Sequence, residues 1–156
     1  MQIHLIAVGT RLESWVDTGY QEYAKRLPRE CALRLVPITP GKRTRSSDPG
    51  RAVREEGERM LAAIPRGSMV VALDVAGRSW STGTLADQLR TWLADGRDRA
   101  LLIGGPDGLW RDCEARAEVR WSLSALTLPH PLVRILVAEQ LYRAWSIVAG
   151  HPYHRG

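Results

Sequence analysis

The chain is 156 residues long, enough for one domain with a real core and too short for two comfortable ones. Hydrophobic residues make up 44% and charged residues 25%, the balance of a soluble globular protein, and no run of about 18 apolar residues offers a membrane span. The net charge of +5 is regional: Lys25 to Arg66 holds 11 Lys/Arg against 5 Asp/Glu, whereas the rest carries 11 against 12. Such a segment suits either a nucleic-acid footprint or a solvated basic face. Cys31 and Cys113 are too few for a disulfide framework and read as buried thiols in a reducing cytoplasm.

Met1-Gln2-Ile3-His4 lacks the basic start of a signal peptide and leads into a buried strand, Ile3–Val8, ended by Gly9. Glu13–Leu27 predicts an amphipathic helix, with Trp15, Thr18/Gly19, Tyr23 and Leu27 on one stripe and Pro28 as its stop. Ala32–Ile38 alternates as a strand, and Pro37 assigns it to an edge or marks its end. Pro40–Ser47 is a basic, flexible loop. Asp48 and Pro49 form an N-cap and first turn for a surface helix over 51–63.

Met69–Leu73 is an uninterrupted apolar run, as in a strand covered on both faces. Thr84 reads as the cap of a helix through Ala94, with Asp87 as capping-box partner and Gly96 past its end. Ala100–Ile103 is a second doubly covered strand. A short helix over 109–117, a strand over 119–123 and a last helix over 132–148 complete the chain. Strands alternating with helices predict a single α/β domain over residues 1–156 with a largely parallel sheet. The last helix is apolar nearly all round, which predicts either a central core helix or, more simply in so small a chain, homodimerisation through it.

Two loops stand out. Gly104-Gly105-Pro106-Asp107-Gly108 follows a buried strand, where glycine allows positive φ and close backbone approach. It fits neither the dinucleotide fingerprint nor a P-loop, so a plain strand-to-helix turn explains it equally well. Leu123-Ser124-Ala125-Leu126-Thr127-Leu128 alternates small polar and apolar residues before Pro129-His130-Pro131. That run offers backbone donors and acceptors to a base edge and leucines to its faces; an ordinary strand and loop is the competing reading.

These loops, with Ala7-Val8-Gly9-Thr10, Gly41-Lys42-Arg43, Trp121-Ser122 and the tail Tyr142–Arg155, resemble the bacterial ribosomal RNA large subunit methyltransferase H family of the SPOUT class, over the whole chain. The resemblance implies a trefoil-knotted α/β fold and S-adenosyl-L-methionine as methyl donor. It also implies a homodimer acting on assembled 70S ribosomes at N3 of a pseudouridine in the interface stem-loop of 23S rRNA. Family cofactor contacts fall on Leu73, Gly104 and Leu123, Ser124, Ala125, Leu126, Thr127 and Leu128, with Gly105, Pro106 and Gly108 completing the glycine loop.

An activated sulfonium donor requires no metal. The protein must hold it bent, bring N3 into line, and help the N3 proton leave. The tail supplies candidates: His154 as proton acceptor, Arg155 for the developing oxyanion or a phosphate, and Tyr153 for stacking. Fraying is the competing fate of a terminus. Lys42, Arg43 and Arg45 are candidate phosphate contacts, extended by Lys25, Arg26, Arg29, Arg51 and Arg54. His130 either positions the base or hydrogen-bonds the loop. Arg143 either pairs with Glu139 or reaches RNA across a dimer. His4 reads as structural, and Trp15, Trp80, Trp92, Trp121 and Trp145 as core or interface residues. Two competing functions are a SPOUT enzyme acting on transfer RNA and a ribosome-binding factor without turnover.

Overall fold

A computed structural model describes residues 1–156. Five strands form one sheet: β1 (Gln2–Val8), β2 (Ala32–Ile38), β3 (Met69–Ser79), β4 (Arg99–Ile103) and β5 (Val119–Ser122). All ladders are parallel, in the order β2-β1-β4-β3-β5, so the proline-bearing strand is an edge as its sequence predicts. Five helices connect them: α1 (Ser14–Ala24), α2 (Pro49–Ala63), α3 (Thr82–Asp95), α4 (Arg111–Arg116) and α5 (His130–Val148).

Strand periodicity divides the core in two. Ile3, Leu5, Val71, Leu101 and Ile103 face α1, α3 and α5, meeting Tyr20, Leu89, Trp92 and Leu141. Ile6, Val8, Val70 and Leu102 face the opposite side, toward Met60 of α2 and Cys113 of α4. Each fully buried Leu or Ile contributes about 1.5–3 kcal/mol, so β4, with every residue buried, anchors both layers. Cys31 and Cys113 are both buried, and burial pushes each thiol up to about 11.

Three local expectations need correction. Helix α1 ends at Ala24, and residues 25–27 form a turn; its buried stripe is Val16, Tyr20 and Ala24. Trp15 falls one position off that stripe, is 55% exposed, and donates to Glu13 at 2.9 Å. The cap of α3 is Ser81, whose Oγ accepts from the Thr84 amide at 3.0 Å, while Asp87 pairs instead with Arg90. Strand β3 runs six residues beyond Leu73. Both Leu73 and Arg78 face Trp121 in the ladder with β5, so residues 74–77 bulge out. The bulge closes tightly at Gly77, where a Cβ would lie 2.7 Å from the Arg120 carbonyl carbon.

Helix α5 packs between α1 and α3. One side buries Val137, Ala138, Leu141 and Ala144, whereas Leu132, Ile135, Leu136, Trp145 and Ile147 remain only half-buried. The chain thus covers a single side of its most apolar helix. On the buried side Arg134 is 4% exposed and has no carboxylate partner. Its Nη2 donates to the Val8 and Gly9 carbonyls at 3.4 and 3.3 Å, where β1 ends and Gly9 takes a φ of +124°.

Candidate functional site

The bulge within β3 and the carboxyl ends of β4 and β5 open into one cleft of about 780 Å³, close to where open parallel sheets place their ligands. Each strand supplies one wall. The β3 bulge gives Leu73, Asp74 and Val75; the turn after β4 gives Gly104, Gly105, Pro106, Asp107 and Gly108; the segment after β5 gives Leu123, Ser124, Leu126, Thr127 and Leu128. Pro129, His130 and Val133, at the start of α5, form the floor. Of the expected cofactor contacts only Ala125 stays outside, its side chain exposed to solvent.

The glycines of the turn have separate reasons. Gly105 to Gly108 closes a four-residue turn, with the Gly108 amide donating to the Gly105 carbonyl at 3.0 Å. Only Gly108 uses positive φ, at +85°. Gly104 is needed for closeness, because a Cβ there would sit 2.6 Å from the Gly108 carbonyl carbon. A side chain at Gly105 would meet Val8 at 3.0 Å and the Glu56 carboxylate at 3.4 Å.

Across from this turn, Ser124 Oγ accepts from the Leu126 amide at 2.9 Å and tips that segment outward. Leu126 is left 70% exposed and Val75 57% exposed, two large apolar side chains at the lips of a cleft. His130 makes no hydrogen bond to the loop. Its Nδ1 is buried without a partner, and burial together with the Arg134 and Arg43 charges holds the ring below the usual histidine range, against an opposing Glu56. Apolar lips, a backbone-walled turn and an orphaned ring nitrogen fit an elongated ligand with a flat base and a polar tail, as S-adenosyl-L-methionine is. No group of His, Cys, Asp and Glu is arranged to hold a metal ion.

Sequence reasoning missed Asp74, Val75 and Glu114, which also line the cleft. Arg120 lies between the two carboxylates, 3.7 Å from Asp74 and 3.6 Å from Glu114. Asp74 and Val75 reach the cleft only through the bulge, for which Gly77 was the sole signal.

The expected phosphate contacts divide. Lys42 and Arg45 are exposed, and neither side chain has a partner. Arg43 departs from the expectation: Glu56 and Asp107 engage its guanidinium, which is therefore not free for phosphate. Further out, Lys25 and Arg26 share Glu22, Arg51 pairs with Glu55, and Arg54 with Glu58. Much of the basic segment is thus a laced helix face.

The tail folds back onto the second half of α5, from Glu139 onward. Tyr153 Oη donates to Glu139 at 3.1 Å, and its ring packs against Tyr142 at 4.6 Å between centroids. Arg143 binds Glu139 at 2.5 Å, stacks over Tyr153 at 4.9 Å and approaches His154 Nδ1 at 3.3 Å. The expected Glu139–Arg143 pair is therefore present, and Arg143 also carries the tail. Arg155 is exposed. A helix of 19 residues spans about 28 Å. His130 stands at one end of α5, while Tyr153 and His154 dock on Glu139 and Arg143 nine and 13 residues further along it, so Tyr153, His154 and Arg155 do not line their own chain's cleft.

His4, expected to be structural, hydrogen-bonds Asp98 at 3.1 Å across the start of the sheet. Trp92 and Trp121 are buried and Trp80 stacks on Trp121 at 5.3 Å, as core residues would.

Ribosomal RNA large subunit methyltransferase H of Methylococcus capsulatus is 59% identical over 155 residues, covering 99% of this chain and 100% of that protein. Among solved structures, a probable methylase family protein from Haemophilus influenzae Rd KW20 superposes with a TM-score of 0.58 at 11% identity. That match covers 99% of this chain and 70% of the other and shows the shared fold alone. Residues 1–154 match the family described as "Predicted SPOUT methyltransferase". The chain belongs to the SPOUT methyltransferases, and its five parallel strands with flanking helices form the α/β fold that this membership calls for.

Proposed function

We propose that this protein uses S-adenosyl-L-methionine to methylate N3 of a pseudouridine in the interface stem-loop of 23S rRNA, on assembled 70S ribosomes. One observation carries the reading. In a chain so similar to the Methylococcus enzyme, all three segments that the resemblance marks for the cofactor converge on one cleft.

The cofactor, when bound, supplies an activated methyl group on sulfur and a neutral thioether as leaving group. The chain's own residues do the rest. Leu73, Leu126 and Leu128 offer apolar faces to a flat base, and backbone groups of Gly104 and of residues 123–128 offer donors and acceptors to its edge. The turn at 105–108 holds the polar end. Lys42 and Arg45 grip RNA phosphates from the exposed loop, and His130 stands at the cleft floor where the target base must enter.

The tail docks on α5 at Glu139 and Arg143, nine and 13 residues beyond His130, about 14–20 Å along the helix from its own cleft. A catalytic role for Tyr153, His154 and Arg155 therefore requires delivery by a second copy. The half-covered apolar side of α5 is the surface through which we propose that the homodimer forms. In it, His154 of one protomer takes the N3 proton at the other's cleft and Arg155 steadies the oxygen charge that develops.

The test is methyl transfer from labelled S-adenosyl-L-methionine to 70S ribosomes from a strain lacking the modification, with free rRNA and transfer RNA alongside. Label confined to the interface stem-loop of assembled ribosomes is the expected result. Label on transfer RNA would overturn the substrate, and cofactor binding without any label would favour a binding factor.

A further inference from the structure

Arg43 lies in the exposed basic loop, yet its guanidinium faces inward. Nη1 and Nη2 donate to the two Glu56 oxygens at 2.7 and 3.3 Å, and Nε donates to Asp107 at 2.9 Å. Nη1 also reaches the Gly41 carbonyl at 3.2 Å, and the Gly41 amide donates back to Glu56 at 2.9 Å. Glu56 is 2% exposed, and Arg43 is its one cationic partner. A buried carboxylate left unpaired is strongly unfavourable, so Glu56 fixes the guanidinium in place. Asp107 is the second central residue of the turn that walls the cleft. The Glu56 carboxylate also lies beside Gly105 of that turn, where an added Cβ would touch it at 3.4 Å.

We propose that Arg43 is a positioning residue for the cofactor turn: anchored on Glu56, it holds Asp107 and with it residues 105–108 in the shape that receives the donor. This rests on the reading of the cleft as the cofactor site. The planar fork suits the task, since it spans two carboxylates at once; a lysine ammonium is a point charge on a flexible stem and holds one well. The arrangement also accounts for an arginine in the phosphate-facing loop that has no free edge for phosphate.

The test is calorimetric titration with S-adenosylhomocysteine on the full-length protein and on Arg43→Ala, Asp107→Ala, their double variant, Asp107→Glu and Gly104→Ala. Asp107→Ala is the informative single change, because Asp107 is 42% exposed and its loss leaves the Arg43–Glu56 pair intact. Its melting temperature is expected to match wild type while the dissociation constant rises about five-fold, the scale of one partly exposed charge-assisted bond. The double variant is expected to bind no worse than Arg43→Ala alone, and Asp107→Glu to bind like wild type. Single effects that multiply in the double variant would mean that Asp107 meets the ligand directly, and would overturn the proposal. Wild-type affinity in Asp107→Ala, with Gly104→Ala weakened, would overturn the brace alone. Wild-type affinity in both would overturn the cleft reading and the proposal with it.

Discussion

Replacing Gly104 with alanine adds one methyl group at the tightest point of the cleft wall. Its Cβ would lie 2.6 Å from the Gly108 carbonyl carbon and 2.7 Å from both the Gly108 oxygen and the Leu109 nitrogen. Comfortable carbon contacts are about 3.5–4.0 Å, so backbone must move away from backbone by roughly 1 Å. The φ of Gly104 is not positive, and collision is the whole of the perturbation. Overpacking of this kind costs about 1–3 kcal/mol. Gly104 is only half-buried and the turn beyond it is exposed, so the turn opens and the strand stays. The fold then recovers most of that strain, and the ligand must reverse the opening to bind. At about 1.4 kcal/mol per tenfold, the expected loss of S-adenosylhomocysteine affinity is about five-fold to about a hundred-fold. Titration calorimetry measures it, and a melting curve checks that the core is unchanged. Wild-type affinity alongside a lowered melting temperature would refute the reasoning, because strain would then reside in the fold and the turn would not touch the ligand.

Other perturbations separate neighbouring roles. Gly57→Ala places a Cβ 2.5 Å from the Trp110 Cβ, between α2 and α4, and is expected to lower stability by about 1–3 kcal/mol in urea without a specific effect on cofactor affinity. Lys42→Ala and Arg45→Ala should each reduce the salt slope of ribosome binding by about one, whereas Arg43→Ala should leave the slope near wild type. His130 is held below its ordinary range, so the unfolded chain takes up its proton first as pH falls. Its contribution to stability is full above about pH 6.5 and declines through acid pH, and His130→Gln should flatten that part of the stability profile, read by melting temperature against pH. Arg134 and Arg43 disfavour the imidazolium there and Glu56 favours it, so the sign rests on burial and two arginines outweighing one carboxylate. Deleting residues 153–156 should spare S-adenosylhomocysteine binding and abolish methyl transfer to 70S ribosomes; undiminished turnover would remove the tail from the mechanism.

Where local pattern decides the structure, the chain is readable. The apolar runs at Met69–Leu73 and Ala100–Ile103 are interior strands, Asp48-Pro49 opens α2, and Gly96 ends α3 with a φ of +78°. Errors arise where several residues compete for one role. Ser81, Thr82 and Thr84 all carry hydroxyls, and only the backbone path selects Ser81 as the cap. Val16 and Trp15 are both apolar, and a one-residue phase difference decides which is buried. The β3 extension carries Asp74, Gly77 and Arg78, which lack any strand pattern; pairing with β5 creates it. Long-range partners are invisible to local reading. Arg43 meets Asp107, 64 positions away, so a residue that reads as a phosphate contact is bound by carboxylates. The distance between tail and cleft likewise depends on the tail docking back on Glu139 and Arg143.

The strand order has a consequence for how this chain comes to be folded. β1 pairs with β4, whose residues follow about a hundred positions later, and β3 has no neighbour until β4 and β5 exist. At a synthesis rate of roughly 5–20 residues per second, the inner edge of β1 waits about 5–20 s at the ribosome before its partner is made. During that interval only the β1–β2 pair can form, and Ile3 to Ala7 have no strand on their β4 side. Such long-range closure makes for slow folding and an exposed apolar edge in the meantime. The nascent chain is thus most vulnerable to misassociation just before residue 100, and a truncation ending there is expected to be caught by chaperones where the full chain is released.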